Sequence, residues 1–230
     1  MEPIFDDPDL FFGVDDLPED PVRVVLGDDN GLYRRGLLTA LEDETDLEVV
    51  AEAGPGADLI AAVRALAPDV VVCSLSMGNA GGVETAYAIT EVMPLVRVAV
   101  LTTDQDPLDK SVAAVRAGAL GELDKVDALE EAARVIRGLH AGWPVFGPGT
   151  WAGVAAEVAN WLAPGDAMGE REGAVLAALA SGADWAEAAD VVGVRAEAAR
   201  NQVRNLLTRG RAAGYPDAAR AAVGAGLVAA

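Results

Sequence analysis

The chain has 230 residues, with 37 acidic against 17 basic side chains, a formal net charge of −20 and only 5% aromatics. That length admits one large domain or two small ones, and the acidity argues against unspecific nucleic-acid binding while leaving room for a local basic face. No apolar run approaches the roughly 20 residues of a membrane span. The start MEPIFDDPDLFF lacks the basic region of a secretory signal, and the lone Cys73 rules out an internal disulfide and suits a reducing cytoplasm.

Residues 1–20 carry eight acids and no base, with Phe5, Leu10, Phe11 and Phe12 interspersed and four prolines and glycines that break periodicity. Self-repulsion makes this a poorly ordered or docked acidic tail: a solubilising segment, or one that contacts a partner or the chain's own C-terminal half. From Val22 apolar runs alternate with helical spacing. Residues 22–27, 47–53, 69–75, 96–102 and 119–125 read as strands, and 33–43, 57–67, 82–93, 109–118 and 128–142 as helices. Apolar strands in strict alternation with helices predict a five-stranded parallel sheet covered on both faces. About 120 residues suits a flavodoxin-like α/β fold with its crevice at the carboxyl ends of the strands.

Residues 143–166 contain three prolines around a short helix near 150–162 and read as a linker. Residues 167–230 hold seven acids and seven bases and are helical throughout, over 169–182, 184–193, 196–210 and 217–227, with glycines between. Three or four short helices imply a small all-α module. Within it, 195–211 (RAEAARNQVRNLLTRGR) sets Arg195, Arg200, Arg204, Arg209 and Arg211 against Glu197 alone. Arg200 and Arg204 fall one turn apart, Asn201 and Gln202 add amides, and Val203, Leu206 and Leu207 form a buried stripe. With the helix 184–192 and the Gly193-Val194 turn before it, this is the order of a helix-turn-helix, whose second helix carries basic and amide groups to phosphates and base edges.

On the predicted sheet, Asp28 and Asp29 follow the first strand, Ser74 ends the third, Thr102 the fourth and Lys125 the fifth, so all five share one edge. Over residues 22–142 the chain resembles the receiver domain of response regulators, through VRVVLGDDNGLYRRGL, PDVVVCSLSMGNAGGVE, VRVAVLTT and AGALGELDK. The resemblance implies that Asp28 and Asp29 are the paired metal-binding acids, Thr102 the switch hydroxyl and Lys125 the invariant lysine. A loop one residue longer than usual leaves Thr103 open for the switch role. The family's phosphoryl-accepting aspartate falls at Ser74, in the stretch Ser74-Leu75-Ser76-Met77-Gly78. A serine hydroxyl without an adjacent base is a poor nucleophile, and the only histidine, His140, lies at the far end of the last receiver helix. Losing one of three carboxylates also weakens Mg²⁺ binding. Aspartyl phosphorylation, a metal and a cofactor are therefore not expected in this degenerate phospho-acceptor pocket. Lys125 paired with Asp28 or Asp29 would hold it in one state; a polar cluster without a role, or a small ligand or residual cation in the crevice, are the alternatives. Glu122 stands where the family carries an aromatic switch, and Cys73 reads as a buried structural thiol.

Across 168–215 the chain resembles the LuxR-type (NarL/FixJ) DNA-binding domain, with Arg171-Glu172 at its characteristic pair and Ala198-Ala199-Arg200-Asn201-Gln202-Val203 in the recognition helix. Ala186 stands where a lysine commonly contacts phosphate, and Arg209-Gly210-Arg211 alters a later Lys-Leu-Gly pattern. The expected organisation is an acidic tail (1–20), a receiver-like domain (21–142), a linker (143–166) and a helix-turn-helix domain (167–230). The expected function is that of a cytoplasmic, dimeric, DNA-binding transcription regulator acting without phosphorylation, with Arg195, Arg200, Asn201, Gln202, Arg204 and Arg209 toward double-stranded DNA. A small-molecule ligand or a partner regulator would control it. The alternative is an interaction module that pairs with another regulator. An enzyme is not expected, since GPGAD lacks the spacing of a phosphate loop and no nucleophile–base pair is visible.

Overall fold

The computed structural model describes residues 20–54, 56–78 and 81–228, so the acidic tail lies, apart from Asp20, outside the described residues. Strands β1 (Val22–Gly27), β2 (Leu47–Ala53), β3 (Val70–Ser74), β4 (Arg97–Thr102) and β5 (Gly121–Asp124) form one parallel sheet in the order β2-β1-β3-β4-β5. Side chains alternate across it. Val71, Cys73, Val98 and Val100 meet helices α2 (Gly56–Leu66), α3 (Gly82–Val92) and α4 (Leu108–Arg116), while Val70, Val72, Ala99 and Leu101 meet α1 (Gly31–Leu41) and α5 (Ala128–His140). Both faces of each central strand are apolar because both are covered.

Several boundaries differ from the sequence reading for local reasons. Helix α1 begins at Gly31, two residues early, because the Asn30 side chain accepts the Leu32 and Tyr33 N–H groups at 3.1 and 3.2 Å. This capping signal precedes any apolar residue of the helix. Helix α5 stops at His140, and Gly142, at φ +79°, turns the chain out of it.

The C-terminal half comprises α6 (Pro148–Trp161), α7 (Glu170–Ala180), α8 (Trp185–Asp190), α9 (Ala196–Ala212) and α10 (Pro216–Gly224). The first four share a core built on Trp151, Val154, Val158, Trp161, Val175, Leu176, Leu179, Trp185, Val203 and Leu206, to which α4 contributes Val112 and Val115. The short helix expected near 150–162 within the linker is α6, and it packs against α4 as well as α7 and α9. Helix α10 departs further from the reading. Its Ala218 and Ala222, with Leu227, are buried in the core beneath α3 and not in the all-α module. Two alanines four residues apart carry no sequence signal of which partner they meet. Among the described residues, no helix is long and apolar enough to cross a membrane.

One ion cluster ties the bottom of the receiver half. Arg137 on α5 holds both carboxylate oxygens of Asp46 (2.6 and 2.7 Å) and also Glu44, ahead of β2. The Arg137 hydrogen bonds, opposed by burial, keep the Asp46 carboxyl below its usual range. Because the folded value is depressed, this stabilisation is fully present above the unfolded value of about 3.9 and is lost as pH falls through the folded one. Arg137→Gln should therefore lower the denaturant midpoint at pH 6, and its deficit against the parent should shrink as pH approaches 3. A deficit independent of pH would refute the linkage.

Candidate functional site

The carboxyl ends of β1, β3, β4 and β5 bring the predicted pocket residues together. Asp28 is 3% exposed, Ser74 fully buried and Thr102 6% exposed. One Asp28 carboxylate oxygen accepts the Asn30 N–H at 2.8 Å, and the other forms an ion pair with the Lys125 ammonium. Lys125 lies 4.9 Å from the Tyr33 ring centroid, and the Tyr33 hydroxyl donates to the Lys125 carbonyl at 3.4 Å. Burial, with the charges of Asp28 and Asp124, pushes the Tyr33 phenol up to about 12, so it remains a donor. The Ser74 hydroxyl accepts the Ser76 N–H at 3.3 Å, and the Thr102 hydroxyl donates to the Leu123 carbonyl at 3.4 Å. Asp29 is exposed and lies over Gly78, at φ +41°, where an added Cβ would stand 2.9 Å from its carboxylate. Cys73 is buried beside Ser74, and burial and the Asp28 charge push its thiol up to about 12, which keeps it protonated.

This donor set does not suit a divalent cation. Asp28 is already paired with a lysine, Ser74 offers a neutral oxygen engaged elsewhere, and Asp29 is an exposed carboxylate. Sequence reasoning missed Asp106, in the extended loop after β4. Its carboxylate accepts the Thr103 N–H (3.0 Å) and hydroxyl (2.9 Å) and the Ser76 hydroxyl (3.2 Å), with Lys110 at 3.5 Å. Burial pushes its carboxyl up, but these hydrogen bonds outweigh it and hold the group below the usual range. Thr103 is thereby committed to its own loop, and Thr102 alone ends β4 in the pocket. Glu122 on β5 accepts the Ser111 hydroxyl of α4 at 2.7 Å and the Thr150 hydroxyl of α6 at 2.5 Å. Both hydroxyl residues are nearly fully buried.

The second candidate site is α9. Asp184 and Glu187 cap α8 reciprocally (2.8 and 3.1 Å), Gly193 at φ +67° makes the turn, and α9 follows. Its arginines are distributed unlike the sequence expectation. Arg195 is exposed at the N-cap. Arg200, read as an exposed contact, is only 7% exposed: its guanidinium lies 3.9 Å from the ring centroid of Trp143 and 5.9 Å from that of Trp185. It shares the inward face of α9 with Ala199 and Val203 because a wide guanidinium can be buried on aromatic rings. Arg204 donates to the Gly142 carbonyl (3.4 Å) and to Asn201 (2.7 Å). Gln202 is half-buried, its amide oxygen without a hydrogen-bond partner. Arg209 binds Asp166 and both carboxylate oxygens of Glu172 at 2.7–2.9 Å, and Glu172 in turn accepts the Gly169 N–H and starts α7. Arg211 reaches the Thr90 carbonyl in the last turn of α3. Trp143 and Thr90, which receive these arginines, had no signal in the sequence beyond being a tryptophan and a helical threonine.

The response regulator receiver domain family matches residues 24–137. A transcriptional regulatory protein of Bacillus subtilis, YxjL, is 34% identical over 60% of this chain, the match spanning 63% of that protein's length. The DNA-binding transcriptional activator DevR/DosR of Mycobacterium tuberculosis is 30% identical over 82% of this chain and 88% of its own length. This chain is a NarL/LuxR-type response regulator. A two-component response regulator of the LuxR family from Aurantimonas sp. SI85-9A1 superposes with a TM-score of 0.54 at 27% identity, over 60% of this chain and 98% of that structure.

Within this response regulator, the Lys125–Asp28 pair is, among the described residues, the charge interaction that joins the pocket's own acids and base. Lys125→Met should leave Asp28 buried beside an apolar stem and destabilise the fold by about 2 kcal/mol. That is less than the 3–5 kcal/mol of a fully buried pair, because the lysine side chain is one-fifth exposed. Asp28→Asn combined with Lys125→Met should recover most of the loss in denaturant unfolding. Equal losses in the single and double variants would show that the two charges do not interact.

Proposed function

We propose that this response regulator is a DNA-binding transcription regulator whose activity does not depend on aspartyl phosphorylation. The observation that carries the reading is α9, a helix with five arginines at or within its bounds against one acid, placed second in a helix-turn-helix of a chain whose net charge is −20. The similarity to DevR/DosR, a DNA-binding transcriptional activator, supports the same class. Arg195 is free to meet phosphate as the chain stands. Arg200, Asn201, Gln202 and Arg204 become available when α9 leaves the receiver half, whereas Arg209 must also exchange Asp166 and Glu172 of its own half for phosphate, and paired half-sites would require two copies of the chain.

Phosphorylation independence follows from the chemistry of the pocket. A neutral hydroxyl stands where the acceptor carboxylate would be needed, and the ammonium of Lys125 is paired with Asp28. Control then falls to a ligand or partner that favours the undocked state, since only differential binding moves such an equilibrium. Incubation with Mg²⁺ and a small phosphodonor should leave the intact mass unchanged; an acyl phosphate on the protein would overturn this part.

A second reading, a module that pairs with another regulator and binds DNA weakly or not at all, is favoured by Ala186 and by the internal engagement of Arg200, Arg204 and Arg209. The two separate in a titration of duplex DNA by anisotropy across salt. The DNA-binding reading expects log K to fall linearly with log salt, and Arg204→Ala to shallow the slope by about 0.9 if this side chain meets one phosphate. Genome-wide capture of bound DNA then finds the targets; no retained DNA at any salt would leave the interaction module.

A further inference from the structure

The last described segment has no part in a helix-turn-helix as it stands, because α10 packs on the receiver half. Ala218 and Ala222 form a small-residue stripe one turn apart, and with Leu227 they are buried in the same core as Val83, Ala86 and Ile89 of α3. Tyr215, just ahead of α10, lies under the Arg116 guanidinium at the end of α4, 4.5 Å from centroid to carbon. The end of α9 is fastened to the same place. Arg211 donates to the Thr90 carbonyl, lies 3.8 Å from Glu91, and passes Gly118, where an added Cβ would come within 3.1 Å of its Nε. Gly118, at φ +109°, is a position where glycine serves both the backbone and this close approach.

We propose that Tyr215–Val228 is an intramolecular strap: its docking beside α3 holds α9 on the receiver, and α9 engages DNA only after the strap has left. The inference rests on the DNA-binding reading above. Three residues, 213–215, separate α9 from α10. Fully extended they span about 10 Å, whereas a recognition helix about 10–12 Å in diameter must enter a groove about 8.5 Å deep with duplex on both sides. A docked α10 therefore keeps the C-terminal end of α9 against α3 and α4. Gly214, at φ +89° with open space around it, is the point about which the two helices can swing apart.

The test compares the full chain with a chain ending at Gly214 and with a full-length Ala222→Glu variant, which covers the case in which the shortened chain fails to fold. Two quantities are read: amide exchange over residues 138–145, the receiver surface that α9 covers, and affinity for a generic duplex. The strap predicts faster exchange at 138–145 in both variants and duplex binding tighter by about tenfold. Faster exchange with no duplex binding at any salt would uphold the strap and sink the DNA-binding reading. Parental exchange at 138–145, in variants whose α3 amides have lost protection, would overturn the strap whatever the DNA result.

Discussion

The arrangement of the two halves depends on how one cation is buried. The Arg200 guanidinium lies over Trp143 at the exit of the receiver half, with the ring of Trp185 of α8 also within 5.9 Å. Trp185 in turn meets Trp151 edge-on at 5.8 Å, and Trp151 meets Phe146 at 5.1 Å. A guanidinium tolerates this because it is planar and weakly hydrated, so stacking replaces much of what water gave it. Burial lowers the Arg200 pKa, yet Glu197 and Asp184 favour its charged form. The helix that would face a duplex therefore has its central arginine turned into the protein.

The rest of α9 is held by the same physics on a larger scale. Arg204 meets the Gly142 carbonyl just past α5, and Arg211 meets the Thr90 carbonyl in the last turn of α3. Carbonyls at helix C-termini carry partial negative charge, so the receiver offers these arginines oxygen acceptors of the sign that phosphates would offer. The Arg204–Gly142 contact just past α5 places α9 toward the amino ends of the strands, and burial together with the Arg204 charge lowers the Arg97 pKa at the start of β4. The Asp28–Lys125 pair sits at their carboxyl ends, so a strand's length of roughly 20 Å separates pocket from interface. Between them Glu122 fastens α4 to α6 by accepting from two buried hydroxyls.

The alternation of strands and helices was legible in the sequence because β1, β3 and β4 are largely apolar runs and the helical spacing recurs between strands, and the parallel order follows from the crossover helices. The pocket was legible for the same topological reason, since residues just after parallel strands must share an edge. What pairs with what was not legible. Nothing about Asp28 and Asp29 distinguishes the buried partner of Lys125 from the exposed acid over Gly78, and Asp106 was invisible because its partners, Thr103 and Ser76, are joined only by the fold. The basic face of α9 was read from periodicity, which cannot say whether a given arginine faces water or an aromatic ring 57 residues earlier in the chain. Helix α10 failed for a related reason: an alanine stripe fits any close-packed neighbour, and the receiver was as available as the α7–α9 core.

The docking of α9 through Arg200 is tested most directly by a double-mutant cycle in denaturant unfolding, with Trp143→Ala, Arg200→Ala and both together. The account predicts a coupling of about 1–2 kcal/mol between the two positions, the range for a desolvated cation over an indole. Additive losses, with no coupling beyond error, would mean that the two side chains do not meet in solution and that α9 is already free of the receiver half.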